Sequence, residues 1–369
     1  MESFIGTQFE NTKSNSNEYR PVFFRLSNSK DEVEFLKLLK SNNGLQIHDE
    51  IIGQVEELVK SLNPKIVYSK EKLREDAIKH FGSTPTEKYG VWVYYKWLNK
   101  LTHILDEEEF VLVRTNRNQY KITPEEKQIL STKKIGVIGL SVGQSVALTV
   151  AMERICGELR IADFDILELS NLNRIRAGVQ NLGIQKCVVV AREIAEIDPF
   201  LKVTCFNDGI TEENIDTFIN DNGKLDVLVD ECDGLYIKIL SRQKAKQYSI
   251  PVVMDTSDRG MIDIERFDLE PKRPILHGLI DHLDIDIVKE AKTNQEKLPY
   301  VSAIIGLDTI SQRLKDSFAE LGKSIVTWPQ LASSVALGGA VMCDVCRKVL
   351  LKQSVVSGRF FVNVDEIIK

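Results

Sequence analysis

Residues 162–174, ADFDILELSNLNR, set two carboxylates, Asp163 and Asp165, one residue apart and follow them with Asn171 and Arg174. Upstream, IGVIGLSVGQSVA carries glycines at 136, 139 and 143, after a β-branched run and before a helical one. Backbone N–H groups at such a strand-to-helix turn, with the helix N-terminus behind them, receive phosphate. The spacing is not a clean GxGxxG, because Ser141 stands where the second glycine belongs. A tight turn alone would explain the glycines. Asp163, however, lies 20 residues past Gly143 at the tip of the next strand, where a carboxylate accepts ribose hydroxyls. Glycines and acid together point to a nucleotide. A ribose needs one acid, so Asp165 and the amide–arginine run require a further explanation.

Three more stretches supply it: RTNRNQ at 114–119, GIQK ending at Lys186, and DECD ending at Asp233. In order, over roughly residues 110–270, these motifs resemble the ThiF-type adenylyltransferases. That superfamily includes the activators of molybdopterin and thiamine sulfur carriers and the ubiquitin-activating enzymes. The resemblance implies that Gly139, Ser141 and Gly143 form the nucleotide loop and that Asp163 binds the ribose. It further implies that Asn171, Arg174 and Lys186 hold the phosphates of ATP and that Asp233 binds Mg²⁺ near the α-phosphate. Arg117 matches the arginine that reaches into a partner's site, which implies a homodimer; Arg114 competes for that role. Asp165 is then expected to orient the loop carrying Asn171 and Arg174.

The chemistry suits these residue types. Adenylation joins a carboxylate to the α-phosphorus of ATP and expels pyrophosphate. A carboxylate of pKa about 4 is already ionised at neutral pH, so no general base is needed. The obstacle is anion meeting anion, and positioned cations and a metal answer it. Arg174, Lys186 and Arg117 are the cations, and Asp233 offers the hard oxygen ligand that Mg²⁺ prefers. The substrate class is a carrier-protein or peptide C-terminus or a small acid, and the acceptor an amine, a thiol or an internal amide.

The chain departs from the family in places. Its loop reads GLSVG, and Arg174 is followed by IRAG rather than glutamine. No cysteine lies between Cys232 and Cys343, which disfavours a covalent thiol relay. Two other classes stay open: a nicotinamide- or flavin-dependent oxidoreductase, and a non-catalytic peptide- or carrier-binding module. ATP against NAD binding separates the first, and pyrophosphate release the second.

The elements that must position these residues follow from periodicity. From KKIGVIG to IPVVMD, short β-branched runs alternate with helical ones, which predicts an α/β, Rossmann-like, doubly wound and mostly parallel sheet. Residues 111–369 are expected to form the adenylation domain and 1–110 an accessory region for substrate recognition. Within the latter, DEVEFLKLLKSN and IHDEIIGQVEELVKSLNP read as amphipathic helices, and YGVWVYYKWLNKLTHIL as a strand running into a helix. GMIDIERFDLE alternates like a strand with one solvent face, DHLDIDIVKEAKTNQEKLPY reads as a polar excursion, and RFFVNVDEII as a closing strand. His277 and Arg259 are candidates for the acceptor side of the cleft.

A net charge of −6 on 369 residues argues against a nucleic-acid surface. No apolar run approaches the ~18–20 residues that cross a bilayer, and the N-terminus lacks a signal-peptide pattern, so a cytoplasmic protein is expected. Cys343 and Cys346 have zinc-ligand spacing but only half a ligand set, and they fall in an apolar helical run. Buried packing is the expectation there.

Overall fold

The computed structural model describes residues 17–290 and 294–368 and divides into two compact units. The first comprises the chain up to Pro124 with the short segment Ala195–Phe200, and the second Glu125–Ile194 with Leu201–Lys369. Residues 1–16 lie outside the described residues.

The first unit runs β1 (Val22–Phe24), α1 (Ser29–Ser41), β2 (Gln46–Asp49), α2 (Ile51–Leu62), α3 (Lys70–His80), β3 (Val91–Tyr95), β4 (Lys100–Ile104) and α4 (Glu107–Arg114). Its sheet order is β1-β3-β4-β2, with β2 parallel to β4 and the other pairs antiparallel. The Asn28 side chain caps α1 by accepting the Lys30 N–H. Helix α2 buries Ile51, Val55, Leu58 and Val59, one stripe at helical spacing.

Residues 89–105 correct the sequence reading. They form a hairpin, not a strand entering a helix, because Asn99 takes a left-handed conformation (φ 48°) that turns the chain back. After the turn Leu101 and His103 are buried at a spacing of two. Trp92 stacks on His103 with ring centroids 4.2 Å apart, and the His103 ring nitrogens reach Asp49 (2.9 Å) and the Tyr89 carbonyl (2.7 Å). These aromatics are core.

The second unit opens with α5 (Pro124–Leu130), whose first residue belongs to the first unit. It continues through β5 (Lys134–Ile138), α6 (Gly143–Glu153), β6 (Glu158–Ala162), α7 (Lys186–Ile197), β7 (Lys202–Phe206), α8 (Ile215–Asn220), β8 (Val227–Asp230), α9 (Leu235–Gln247), β9 (Val252–Thr256) and β10 (Met261–Glu265). Then come α10 (Ile285–Glu290), α11 (Asn294–Ile305), α12 (Gln312–Phe318), α13 (Ala332–Leu350), β11 (Gly358–Phe361) and α14 (Val364–Ile367). The sheet order is β11-β10-β9-β8-β5-β6-β7, parallel from β9 to β7 and antiparallel at β10 and β11. The chain leaves β5 toward β6 and β7 and returns to β8 on the other side. The crevice at the carboxyl ends of β5 and β8 is therefore a topological switch point, where such sheets bind ligands.

Three further expectations give way. Strand β10 has no solvent face, since all five of its residues are buried. Its acids are met by side-chain nitrogens: Asp263 by His277 and Arg359, and Glu265 by Arg242. The polar excursion contains α10 and α11, which bury Val288, Tyr300 and Ile304, with residues 291–293 outside the described set. The closing strand stops at Phe361, because the Asn363 side chain accepts the Asp365 N–H and caps α14.

Cys343 and Cys346 are fully buried in α13, and burial pushes both thiols up, Cys346 to about 12. Among the described residues no cluster of three His, Cys, Asp or Glu side chains could hold a metal ion. Among them, too, no helix is long and apolar enough to cross a membrane.

Candidate active site

Strand β5 ends in Gly139, whose φ of 85° suits glycine. A Cβ there would lie 2.6 Å from the Glu231 carbonyl oxygen and 2.8 Å from the Cys232 nitrogen. The loops after β5 and β8 thus touch, and no other residue fits between them. Helix α6 begins at Gly143 with no side-chain cap and no acid in its first turn. Its leading N–H groups keep their positive potential for an anion. Gly136 differs, since a Cβ there would strike Leu225 and Phe218, so packing explains it.

Asp163 stands just past β6, 8% exposed. Its Oδ2 accepts the Leu140 N–H (2.7 Å) and its Oδ1 the Asp165 N–H (2.8 Å). Burial raises its carboxyl pKa, while Lys186 and these two donors oppose the rise. The side chain ties the glycine loop to the strand tip.

Lys186 opens α7 and is 5% exposed. Its Nζ donates to Asp165 Oδ2 (2.8 Å) and to Ser141 Oγ (3.3 Å). The departure from glycine at Ser141 therefore has a local reason: the hydroxyl receives the lysine.

Asp165 does not organise the loop carrying Asn171 and Arg174 as expected. Its carboxylate pairs with Lys186 and its carbonyl accepts the Lys186 N–H (2.9 Å). Glu168 shapes that loop instead, in a reciprocal capping box in which Asn171 Oδ1 accepts the Glu168 N–H (3.1 Å).

Arg174 reaches Asn173 Oδ1 (2.9 Å) through Nη1, while its Nε is buried with no hydrogen-bond partner. Burial lowers the guanidinium pKa and the charge of Asp233 opposes that, which places the two in each other's field. Asp233 lies three residues beyond β8. Its side chain is exposed to solvent, and partial desolvation raises its carboxyl pKa against the opposing charges of Lys238, Arg174 and Lys186. Among the described residues its carboxylate has no hydrogen-bond or ion-pair partner.

Two features escaped the sequence. Gln144, 2% exposed in the first turn of α6, clamps the backbone just after Arg174: its Nε2 donates to the Arg176 carbonyl (2.8 Å) and its Oε1 accepts the Arg176 N–H (2.7 Å). The signal was an amide in an otherwise apolar helix. The second is a buried acid pair, in which Glu231 Oε1 accepts the Asp255 N–H (2.9 Å) and burial raises both carboxyls. Gly338 makes room for it, since a Cβ there would sit 1.8 Å from Asp255 Oδ2.

Gly139, Ser141, Gly143, Asp163, Asn171, Arg174, Lys186 and Asp233 all belong to the second unit, on the loops and helix starts that follow β5, β6 and β8. Arg117 belongs to the first unit, exposed on a short 3-10 turn, Asn116–Asn118. Arg114 is committed there to the fully buried Asp198 (2.7 Å). His277 and Arg259 have structural partners. His277 bonds Asp263 (2.9 Å) and Arg273 (2.7 Å), and Arg259 bonds the Thr309 carbonyl and Glu366 (2.5 Å each).

Residues 114–363 match the model of the ThiF family. The chain belongs to the ThiF family. It is 42% identical over 274 residues to an uncharacterized protein of Mycobacterium tuberculosis, MT1398, covering 74% of this chain and 38% of that protein. It is 27% identical over 161 residues to the tRNA threonylcarbamoyladenosine dehydratase of Bacillus subtilis, covering 43% of this chain and 62% of the relative. This ThiF-family chain thus spans less than two thirds of each of these relatives. A crystal structure of E. coli MccB with MccA-N7isoASN shares the fold at a TM-score of 0.50 and 12% identity, over 85% of each chain.

Proposed function

We propose that this ThiF-family chain adenylates a carboxylate with ATP and Mg²⁺, releases pyrophosphate and passes the acyl group to a nucleophile, working as a homodimer. One observation carries the reading: among the described residues a buried Arg174 Nε has no hydrogen-bond partner, and its guanidinium lies in the field of Asp233, a carboxylate with none either, at the switch point beside an uncapped helix start. Unmet donors of this kind suit phosphate oxygens, and a free carboxylate suits a hard divalent cation.

In the proposed reaction a carboxylate oxygen of the substrate bonds the α-phosphorus as the bond to the bridging oxygen of pyrophosphate breaks. Arg174 and Lys186 offset charge on the phosphoryl oxygens, and no proton needs to move. Asp163 orients the ribose, and the α6 N–H groups hold phosphate. Asp233 would hold Mg²⁺, which supplies further positive charge when bound. Because Arg114 is engaged with Asp198 while Arg117 is exposed, Arg117 is the better candidate to cross to a second subunit.

ATP–pyrophosphate exchange against peptides, carrier proteins and small carboxylates tests the proposal. Exchange that depends on one substrate class and on Mg²⁺ is the expected result. Calorimetry showing tight NAD binding and no ATP binding would overturn it.

A further inference from the structure

The sequence reading did not use Lys238, a lysine 8% exposed in the first turn of α9. Its Nζ donates to Asp230 Oδ2 (3.0 Å), and its backbone N–H donates to the Gly234 carbonyl (2.8 Å). Asp230, fully buried at the end of β8, also accepts the Cys232 N–H on Oδ1 (3.2 Å). Arg242 locks the far side, bonding Asp230 through Nη1, the Lys238 carbonyl (3.2 Å) and Glu265 (2.6 Å). Asp230 and Lys238 therefore staple both ends of the short loop 231–234, whose exposed member is Asp233. Among the cations acting on Asp233, Lys238 ranks ahead of Arg174 and Lys186.

We propose that Lys238 is a positioning residue: tied to Asp230, it fixes loop 231–234 so that the Asp233 carboxylate meets a divalent cation in register with the phosphate-binding groups. The inference rests on the adenylation reading. Two effects of Lys238 oppose each other. A fixed ammonium beside a metal ligand repels the metal, whereas a fixed loop removes the cost of ordering that ligand. Arg242 still neutralises Asp230 if the ammonium is lost, so the tether should be the larger loss.

The test is calorimetric titration of ATP into the full chain, with graded Mn²⁺ and again in chelator. In Lys238→Met the Mn²⁺ needed for half-maximal enhancement of ATP binding should rise about tenfold or more, as misplacement of a functional group implies. ATP binding in chelator should stay at the parental value, and Lys238→Arg should recover most of the metal dependence. If Lys238→Met does not fold, Lys238→Ala, which likewise removes the donor to Asp230, is expected to show the same rise. Unchanged or tighter Mn²⁺ dependence in a folded variant overturns the role of Lys238, as does an equal loss with and without metal. A parent chain that binds no ATP overturns the adenylation reading itself.

Discussion

Asp230 and Asp233 are three residues apart, and the molecule treats them in opposite ways. Asp230 is sealed in a network with Lys238, Arg242 and Glu265. Desolvation would raise its carboxyl, but the two cations outweigh burial and hold it at about 2. Asp233 has cations near it but none bonded to it, and desolvation wins. The same contrast separates Arg242, which has carboxylates on two sides, from Arg174, whose Nε has none. A buried polar atom is costly unless paired, so the unpartnered Arg174 Nε at a sheet switch point, with the solvent-facing Asp233 in its field, marks where a ligand can complete the pairing.

The largest expected effects break this contrast directly. Asp233→Ala should lower pyrophosphate exchange by about 10²-fold or more while melting like the parent, since it removes a ligand-facing group alone. Asp230→Ala should instead strand the Lys238 ammonium in the interior, leave Arg242 with Glu265 alone and cost about 3–5 kcal/mol, read as a fall in the denaturant midpoint. A stable but inactive Asp230→Ala chain, or an unfolded Asp233→Ala chain, would invert the two assignments.

The next effect concerns the arginine in the other unit. Arg117→Ala and Asp233→Ala chains should each be inactive alone. Mixed, with subunit exchange shown separately, they should regain at most about a quarter of parental activity, one intact site per mixed dimer under random pairing. A mixture no more active than its parents, or a monomer by light scattering at micromolar concentration, would count against a shared site.

The smallest effect comes from Asp255, buried with no cation bonded to either oxygen and raised by desolvation to about 7. The folded chain then binds a proton that the unfolded chain, with a carboxyl pKa near 4, releases sooner. Stability from this group is complete at acidic pH, declines from about pH 4 to about pH 7, and is flat above. Asp255→Asn should remove this group's share of the decline and leave that of Glu231, so its melting temperature should gain on the parent's as pH rises. Parallel curves for the two chains would rule out a buried, proton-binding Asp255.

The helix–strand alternation from Lys134 to Thr256 was legible because β5, β6, β8 and β9 are short runs buried almost throughout, set between stretches of helical periodicity. Strand β10 was not, because its alternation came from acids that face His277, Arg359 and Arg242 rather than water. Residues 89–105 misled for a related reason: the aromatic run fits helix or strand, and only Asn99 in a left-handed turn settles it. The site showed the same division. Asp163, Arg174, Lys186 and Asp233 stood out as charged residues beside strand ends, whereas Gln144 and the Glu231–Asp255 pair depend on what another segment places against them.

By itself the sequence determined where the strands from β5 to β9 end, which glycines open the helix after β5, and which cations and acids follow those strand tips. Those are properties of neighbours along the chain. Only the tertiary structure decided which group meets which: Asp165 rather than solvent for Lys186, Glu168 for Asn171, and, among the described residues, no hydrogen-bond partner for Arg174 Nε or Asp233. Pairing is set by distance in space and by how much water is excluded, and a linear pattern encodes neither until the sheet brings its strand ends together.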